Sequence, residues 1–113
     1  MEQKNKDVIQ KFYQEFFNEH IIESADKNVR EDYIQHNPGD GQGREALKEA
    51  FAEKFVEHPE FCLNIKMMIA EKDMVAVYLK NVDQQGNTRC RVVDIYRLED
   101  GKLAEHWDVL QPC

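Results

Sequence analysis

Cysteine is scarce in this 113-residue chain: Cys62, Cys90 and Cys113 are odd in number and lack C-x-x-C spacing. They build neither a disulfide framework nor a zinc knuckle, and the expected compartment is a reducing cytoplasm. Long apolar runs are missing too, since nothing approaches the roughly 20 residues of a membrane span. The opening Met-Glu-Gln-Lys-Asn-Lys-Asp holds no apolar signal-peptide region. Basic residues are in the minority, 15 Lys and Arg against 22 Asp and Glu, for a net charge of -7. That balance repels phosphate backbones and anionic lipid, so neither nucleic acid nor a membrane surface is an expected partner. The histidines, His20, His36, His58 and His106, form no H-E-x-x-H and no Cys/His ligand spacing. A metal site would need distant residues such as His36, Asp94 and His106, and nothing demands one. Gly39, Gly41 and Gly43 follow no strand and lead to no Lys-Ser/Thr, so they read as a loop rather than a phosphate cradle. No cofactor and no metal are expected.

What remains is an ordinary globular balance, 42% hydrophobic and 33% charged, and a length that suits one domain spanning 1–113. Val8, Phe12 and Phe16, with Ile9, Tyr13 and Phe17, repeat every four residues and predict a helix over 4–21. Ser24 predicts an N-cap for a short helix from Ala25 to about Asp32. The stretch from His36 to Gly43, with Pro38 and three glycines, reads as a loop. A third helix is expected from Arg44 to Glu57, with Leu47, Phe51 and Phe55 on one face and Pro59 beyond its end. From Phe61 the period shortens to that of strands: 62–70, 74–83, 88–98 and 102–110. Their short connectors carry Gly-Asn and Asp-Gly signals, which mean antiparallel hairpins. Helices followed by a meander of four or more strands is an α+β pattern. A curved sheet with helices on one face encloses a pocket suited to a small ligand.

The last hairpin sets which residues face that pocket. With Asp100-Gly101 as the turn, Glu99 faces Lys102, Leu98 faces Leu103, Tyr96 faces Glu105 and Asp94 faces Trp107. Opposed residues share a face, so Asp94, Tyr96, Glu105 and Trp107 would lie on one side and Ile95, His106 and Asp108 on the other. A bulge would reverse this parity. Asp94 looks misplaced within Val92-Val93-Asp94-Ile95-Tyr96, a run that otherwise reads as a buried strand. A carboxylate there must face solvent, be paired with Arg89, Arg91 or Arg97, or line a cavity, where desolvation suits it to general acid/base work. His106 and Asp108 could form an orienting pair. His36 lies near the expected pocket mouth, where an imidazole can shuttle protons.

Several stretches together resemble the SnoaL-like proteins of the nuclear transport factor 2-like superfamily. They are Tyr33-Ile34-Gln35-His36-Asn37-Pro38, Gly43-Arg44-Glu45-Ala46-Leu47, Asp94-Ile95-Tyr96-Arg97 with Asp100-Gly101-Lys102, and Glu105-His106-Trp107-Asp108-Val109. The resemblance runs from Phe12-Tyr13 to the C-terminus. It implies a cone-shaped α+β barrel, dimerisation through the outer surface of the sheet, and ring closure by intramolecular aldol condensation without cofactor or metal. An acidic residue would transfer the proton in an apolar, aromatic pocket. Asp94 and Asp108 fall at the polar positions of the last two strands, with His36 expected across the pocket. The register above favours Asp94 as the pocket acid; a bulge would favour Asp108.

The expectation is therefore a small cofactor-independent enzyme for an apolar carbonyl compound, of cyclase or isomerase type. Its catalytic candidates are Asp94, His36 and Asp108, and its walls Trp107, Tyr13, Phe16, Tyr33, Phe51, Phe55 and Tyr96. The alternatives are a non-catalytic ligand-binding or dimerisation module and a hydratase. Partners would be a small apolar molecule and a second copy of the chain.

Overall fold

The apolar stripe that begins at Val8 winds into α1 (Glu2–Phe12) and continues as a π-helical turn, Tyr13–Asn18. Ile9, Phe12, Tyr13 and Phe16 are at most 1% exposed, so this stripe forms the heart of the core. The structure is a computed structural model that describes residues 2–37, 41–83 and 85–112. Asn18 ends the stripe and fixes the start of a strand, since its side-chain amide both donates to the Leu63 carbonyl (3.1 Å) and accepts from the Leu63 N–H (2.8 Å).

The next segment corrects the expected helix to Asp32. After a 3-10 turn (Ile22–Ser24), α2 is a single turn, Ala25–Asn28, and Val29–Gln35 is a strand, β1. Val29 and Tyr33 point inward while Glu31 and Asp32 are exposed. Three charged residues in a row, Arg30-Glu31-Asp32, mask the period of two. At the edge of a sheet such charge is favourable because it blocks further pairing.

Helix α3 (Gly43–Glu57) follows, and Phe55 is its buried residue. Its acidic residues Glu49, Glu53 and Glu57 are exposed. Pro38, Gly39 and Asp40 of the expected loop lie outside the described residues, as do Gln84, between the strands expected at 74–83 and 88–98, and Cys113.

Four further strands form the expected meander: β2 (Leu63–Glu71), β3 (Met74–Val82), β4 (Thr88–Glu99) and β5 (Lys102–Pro112). The sheet order is β1-β5-β4-β3-β2, with β1 parallel to β5 and the other pairs antiparallel. The expected four strands thus gain a fifth, making a mixed sheet with three helices packed on it. Asp100 (φ 54°) and Gly101 (φ 75°) both sit in the left-handed region that a two-residue hairpin turn requires. Among the described residues no helix is long and apolar enough to cross a membrane.

One residue reverses the expected facing of the last strand. Glu99 pairs with Lys102 and Leu98 with Leu103, as the turn predicts, but the register then shifts and Arg97 pairs with Glu105. Ala104 is the extra residue, a β-bulge, and it is buried together with Leu103. Beyond it Tyr96 faces His106, Ile95 faces Trp107 and Asp94 faces Asp108. The inner face therefore carries Asp94, Tyr96, His106 and Asp108, and the expected pairing of Asp94 with Trp107 is corrected. The outer face carries two continuous rows across four strands, Met67–Tyr78–Val93–Val109 and Ile69–Ala76–Ile95–Trp107.

Candidate functional site

The helices and the inner face of the sheet enclose a cavity of about 160 Å³. Phe12, Phe17, Phe51, Leu79 and Val92 supply its apolar walls, and Asp94, Asp108, His106, Gln35 and Asn37 converge at its polar end. An adjoining recess of about 290 Å³ shares Tyr33, Gln35, Asn37, Lys54 and Asp108 with the cavity and is walled by Leu47 and Ala50 of α3.

Strand register explains the convergence. Val77, Asp94 and Asp108 form one inner row across β3, β4 and β5. Val75, Tyr96, His106 and Gln35 form the next, which crosses onto β1. Asp94 is 6% exposed and His106 6%, so neither is solvated by bulk water. Buried polar groups of this kind must be paired, and they are. Asp94 Oδ1 lies 2.9 Å from His106 Nε2, and Asp94 Oδ2 accepts a short hydrogen bond from the Tyr13 hydroxyl. The Tyr13 oxygen is 2.8 Å from the Tyr96 hydroxyl. Tyr13 gives its single proton to Asp94, so Tyr96 is the donor in that second bond.

The histidine's tautomer follows from its other neighbour. His106 Nδ1 is 2.8 Å from Gln35 Oε1. That oxygen also accepts the backbone N–H groups of His36 (3.0 Å) and Asn37 (3.3 Å), which fixes it as the amide oxygen. Nδ1 therefore carries a proton and Nε2 faces the carboxylate. Nε2 lies within hydrogen-bond distance of Asp94 Oδ1, at 2.9 Å. Asp108 is placed differently. Its Oδ2 accepts from Asn37 Nδ2 at 2.7 Å and lies 3.8 Å from His106 Nε2. Its side chain is 24% exposed. No partner is present for Oδ1 among the described residues.

Burial is the largest cause raising the pKa of both phenols well above the ordinary tyrosine value. For Tyr13 the neighbouring Tyr96 and the Asp94 carboxylate add to it, and for Tyr96 the Asp94 carboxylate does. Both stay neutral donors across the physiological range.

Of the sequence-predicted residues, Asp94, Asp108, Tyr33, Phe51 and Tyr96 line the cavity. Tyr13 reaches it through its hydroxyl on Asp94. Phe16 and Phe55 pack behind Phe51, with ring centroids 5.5 and 5.6 Å from it, and do not border the space. His36 and Trp107 correct the expectation. They stack on each other on the outer side, centroids 4.7 Å apart and planes 4° apart. His36 Nε2 bonds Glu105 Oε2 at 2.6 Å there. Those bonds from His36 and then Arg97 hold the Glu105 carboxyl below its usual pKa. Strand alternation is the cause, because Tyr33 and Gln35 point inward on β1 and His36 follows on the other side. The sequence reading missed Gln35, Asn37, Lys54 and Asn81, and cast His106 as a partner for Asp108 or a distant metal ligand rather than as the partner of Asp94. The alternation of Val29, Tyr33 and Gln35 is the signal that would have found Gln35.

Asp94, His106 and Asp108 also offer three donor atoms lying within 4.8 Å of one another. Two carboxylate oxygens and an imidazole suit a first-row divalent metal. In this structure the same atoms are satisfied by one another and by Tyr13 and Asn37, an arrangement that stands without a metal.

A family model described as SnoaL-like polyketide cyclase matches residues 7–112. No curated protein matches the chain in sequence. Solved structures do match in fold. A candidate polyketide cyclase from Bacillus cereus superposes with a TM-score of 0.81 at 24% identity, covering 96% of this chain and 74% of that one. TsrD from Streptomyces laurentii gives 0.79 at 20%, covering 96% and 89%. A candidate isomerase of the SnoaL-like family from Agrobacterium tumefaciens gives 0.81 at 11%, covering 96% and 98%. At these identities the likeness carries the fold, and the chemistry must be argued from the site.

Proposed function

The chain belongs to the SnoaL-like polyketide cyclase family, and from that premise we propose that it is a cofactor-independent enzyme moving a proton at the carbon α to a carbonyl. The outcome is aldol-type ring closure or isomerisation of a small, largely apolar compound. The observation that carries this reading is the meeting of two carboxylates and one histidine on a single cavity wall, with one carboxylate oxygen unbonded among the described residues. A general base must reach the proton it takes. Asp94 has both oxygens engaged, whereas Asp108 presents its free Oδ1 and borders both cavity and recess. Asp108 is therefore the catalytic base. Asp94, His106 and Gln35 form the couple beside it, which holds a second proton for the oxygen that gains charge as the enolate forms. In an aldol closure the enolate carbon bonds to a second carbonyl carbon, and the alkoxide produced takes up a proton. In an isomerisation the proton returns to another carbon. Either way protons balance and no electrons leave the substrate.

The cavity limits the substrate. About 160 Å³ is below the roughly 300–1,000 Å³ of sites for drug-sized ligands. That volume suits a short-chain or single-ring ketone, with the adjoining recess of about 290 Å³ open to a larger substituent.

The outer rows support a homodimer as a second part of the proposal. Met67, Val93 and Val109 are 56%, 36% and 70% exposed and adjoin across three strand pairs. Contiguous exposed apolar surface of this kind marks an interaction site, and a second copy of the same sheet face would cover it.

The test is proton exchange. Small methyl ketones incubated with the protein in deuterium oxide should take up deuterium α to the carbonyl faster than in buffer, with and without a chelator. Exchange at the buffer rate would leave a ligand-binding module as the function, and exchange that a chelator abolishes would assign the aspartate–histidine cluster to a metal.

A further inference from the structure

The far end of the cavity carries a different chemistry from the aspartate end. Asn81 lies four residues along β3 from Val77, the register partner of Asp94, so roughly 13 Å of sheet separates the two ends at strand rise. Between them the wall is apolar, with Leu79 and Val92 on the sheet and Phe51 above. Asn81 stands at the far end, paired with Leu63, and Lys54 lies over Phe61, two residues before Leu63.

Neither group has a side-chain partner among the described residues: Asn81 Oδ1 is buried and accepts no hydrogen bond, and Lys54 is exposed at the rim without a counter-ion. Lys54 borders the cavity and the recess. Its ammonium lies 5.1 Å from the Phe61 ring centre and 5.5 Å from that of Phe51, a cation held over two aromatic faces. It makes no ion pair among the described residues, in a chain with seven more acidic than basic groups. The other cations of α3 differ: Arg44 and Lys48 both pair with Asp26 and Glu45. An unpaired cation at the mouth of an apolar cavity, beside a buried acceptor with no donor, describes the head-group end of a binding site. An anion answers the cation, and because a carboxylate has no proton to give, a water held between it and Asn81 Oδ1 would supply the donor that the second lacks.

We infer that this end takes the carboxylate of the substrate, which makes the substrate a small oxo acid rather than a neutral ketone. The inference rests on the proton-transfer reading of the opposite end. With its carboxylate on Lys54, a flexible chain crosses the apolar wall and its carbonyl end approaches Asp108. Each end then does one task. Lys54 selects charge, and the aspartate end handles protons.

The experiment uses linear methyl-keto acids from 4-oxopentanoate to 7-oxooctanoate, each beside its methyl ester. Binding is measured by calorimetry, and deuterium uptake α to the ketone by NMR, in the wild-type protein, Lys54→Met, Lys54→Arg and Asp108→Asn. Lys54→Met keeps the aliphatic stem on Phe51 and Phe61 and removes only the charge. The expected result is that at least one acid binds about tenfold more tightly than its ester. Lys54→Met should erase that preference, Lys54→Arg should restore it, and Asp108→Asn should keep it while losing exchange. Equal binding of acid and ester in the wild type overturns the inference, as does a preference that survives Lys54→Met, or no saturable binding of any acid. A carboxylate preference without exchange sustains the inference and instead defeats the proton-transfer reading on which the substrate's fate depends.

Discussion

The two faces of one sheet are built from alternate residues of the same strands, yet they hold opposite chemistries. Along β4 the inner face shows Val92, Asp94 and Tyr96, and the outer face Val93 and Ile95. Along β5 it is His106 and Asp108 inside, Trp107 and Val109 outside. The buried side holds Asp94, Asp108 and the His106 imidazole among apolar residues, and the solvent side holds Val93, Ile95, Trp107 and Val109 beside Arg97 and Glu105. That inversion is the reverse of what stability alone selects. It is tolerated inside because, among the described residues, every buried side-chain nitrogen or oxygen bar the Asn81 Oδ1 and the Arg44 Nε has a hydrogen-bond partner. It is explained outside if a second copy covers the rows.

The comparison breaks most strongly at its buried hub. Asp94→Ala leaves the Tyr13 hydroxyl and His106 Nε2 without their acceptor, a loss of about 1–3 kcal/mol. For a domain of this size that lowers Tm by about 4 °C or more. Proton exchange should fall by about a hundredfold as well. Calorimetry and the exchange assay read the two effects; an unchanged Tm would mean that the network is not holding the core.

The outer face is broken by Val93→Glu combined with Val109→Glu. These residues face one another across β4 and β5 at the centre of the exposed rows. Two carboxylates there should convert a dimer to a monomer in sedimentation equilibrium while the monomer stays folded. A wild-type chain that sediments as a monomer at all concentrations removes the explanation offered for the outer rows.

An alkaline titration sharpens the inside. Tyr13 and Tyr96 have raised pKa values when folded, so their neutral forms favour the folded state. That contribution is complete below the ordinary phenol value of about 10 and is lost as pH rises from there toward the folded values. Absorbance at the phenolate band should show two of the four tyrosines silent until the protein unfolds. Four tyrosines titrating reversibly near the ordinary value would contradict the burial.

The smallest effect belongs to His36. Its ring lies outside on Trp107 and its ion partner Glu105 is on the same side. His36→Ala should leave exchange within about twofold and stability within about 0.5 kcal/mol, as for surface substitutions generally.

Much of this was legible in the residues. The four-residue aromatic repeat announced the first helix, the Asp100-Gly101 turn announced the last hairpin, and the oddity of Asp94 in an apolar strand pointed to the inner face. Two items were not legible, for distinct reasons. Strand β1 hides behind Arg30-Glu31-Asp32, whose charges an edge strand accommodates and a local pattern does not forgive. The bulge at Ala104 leaves no mark in composition, because alanine is at home in helix, strand or core alike. Yet it decides parity for the eight residues that follow it. That one residue turns Trp107 outward and His106 inward, whereas His36 lies outside through the alternation of β1. Gln35 was lost with β1, and with it the group that fixes the imidazole.

The most direct measurement is deuterium uptake α to the ketone, followed by NMR for the wild type, Asp108→Asn and His36→Ala under one set of conditions. Exchange should be fast in the wild type and in His36→Ala, and fall to the buffer rate in Asp108→Asn with the thermal transition unchanged. An Asp108→Asn protein that exchanges as fast as the wild type, or a His36→Ala protein that does not exchange at all, would contradict the division of the sheet into a proton-transferring inner face and a binding outer one.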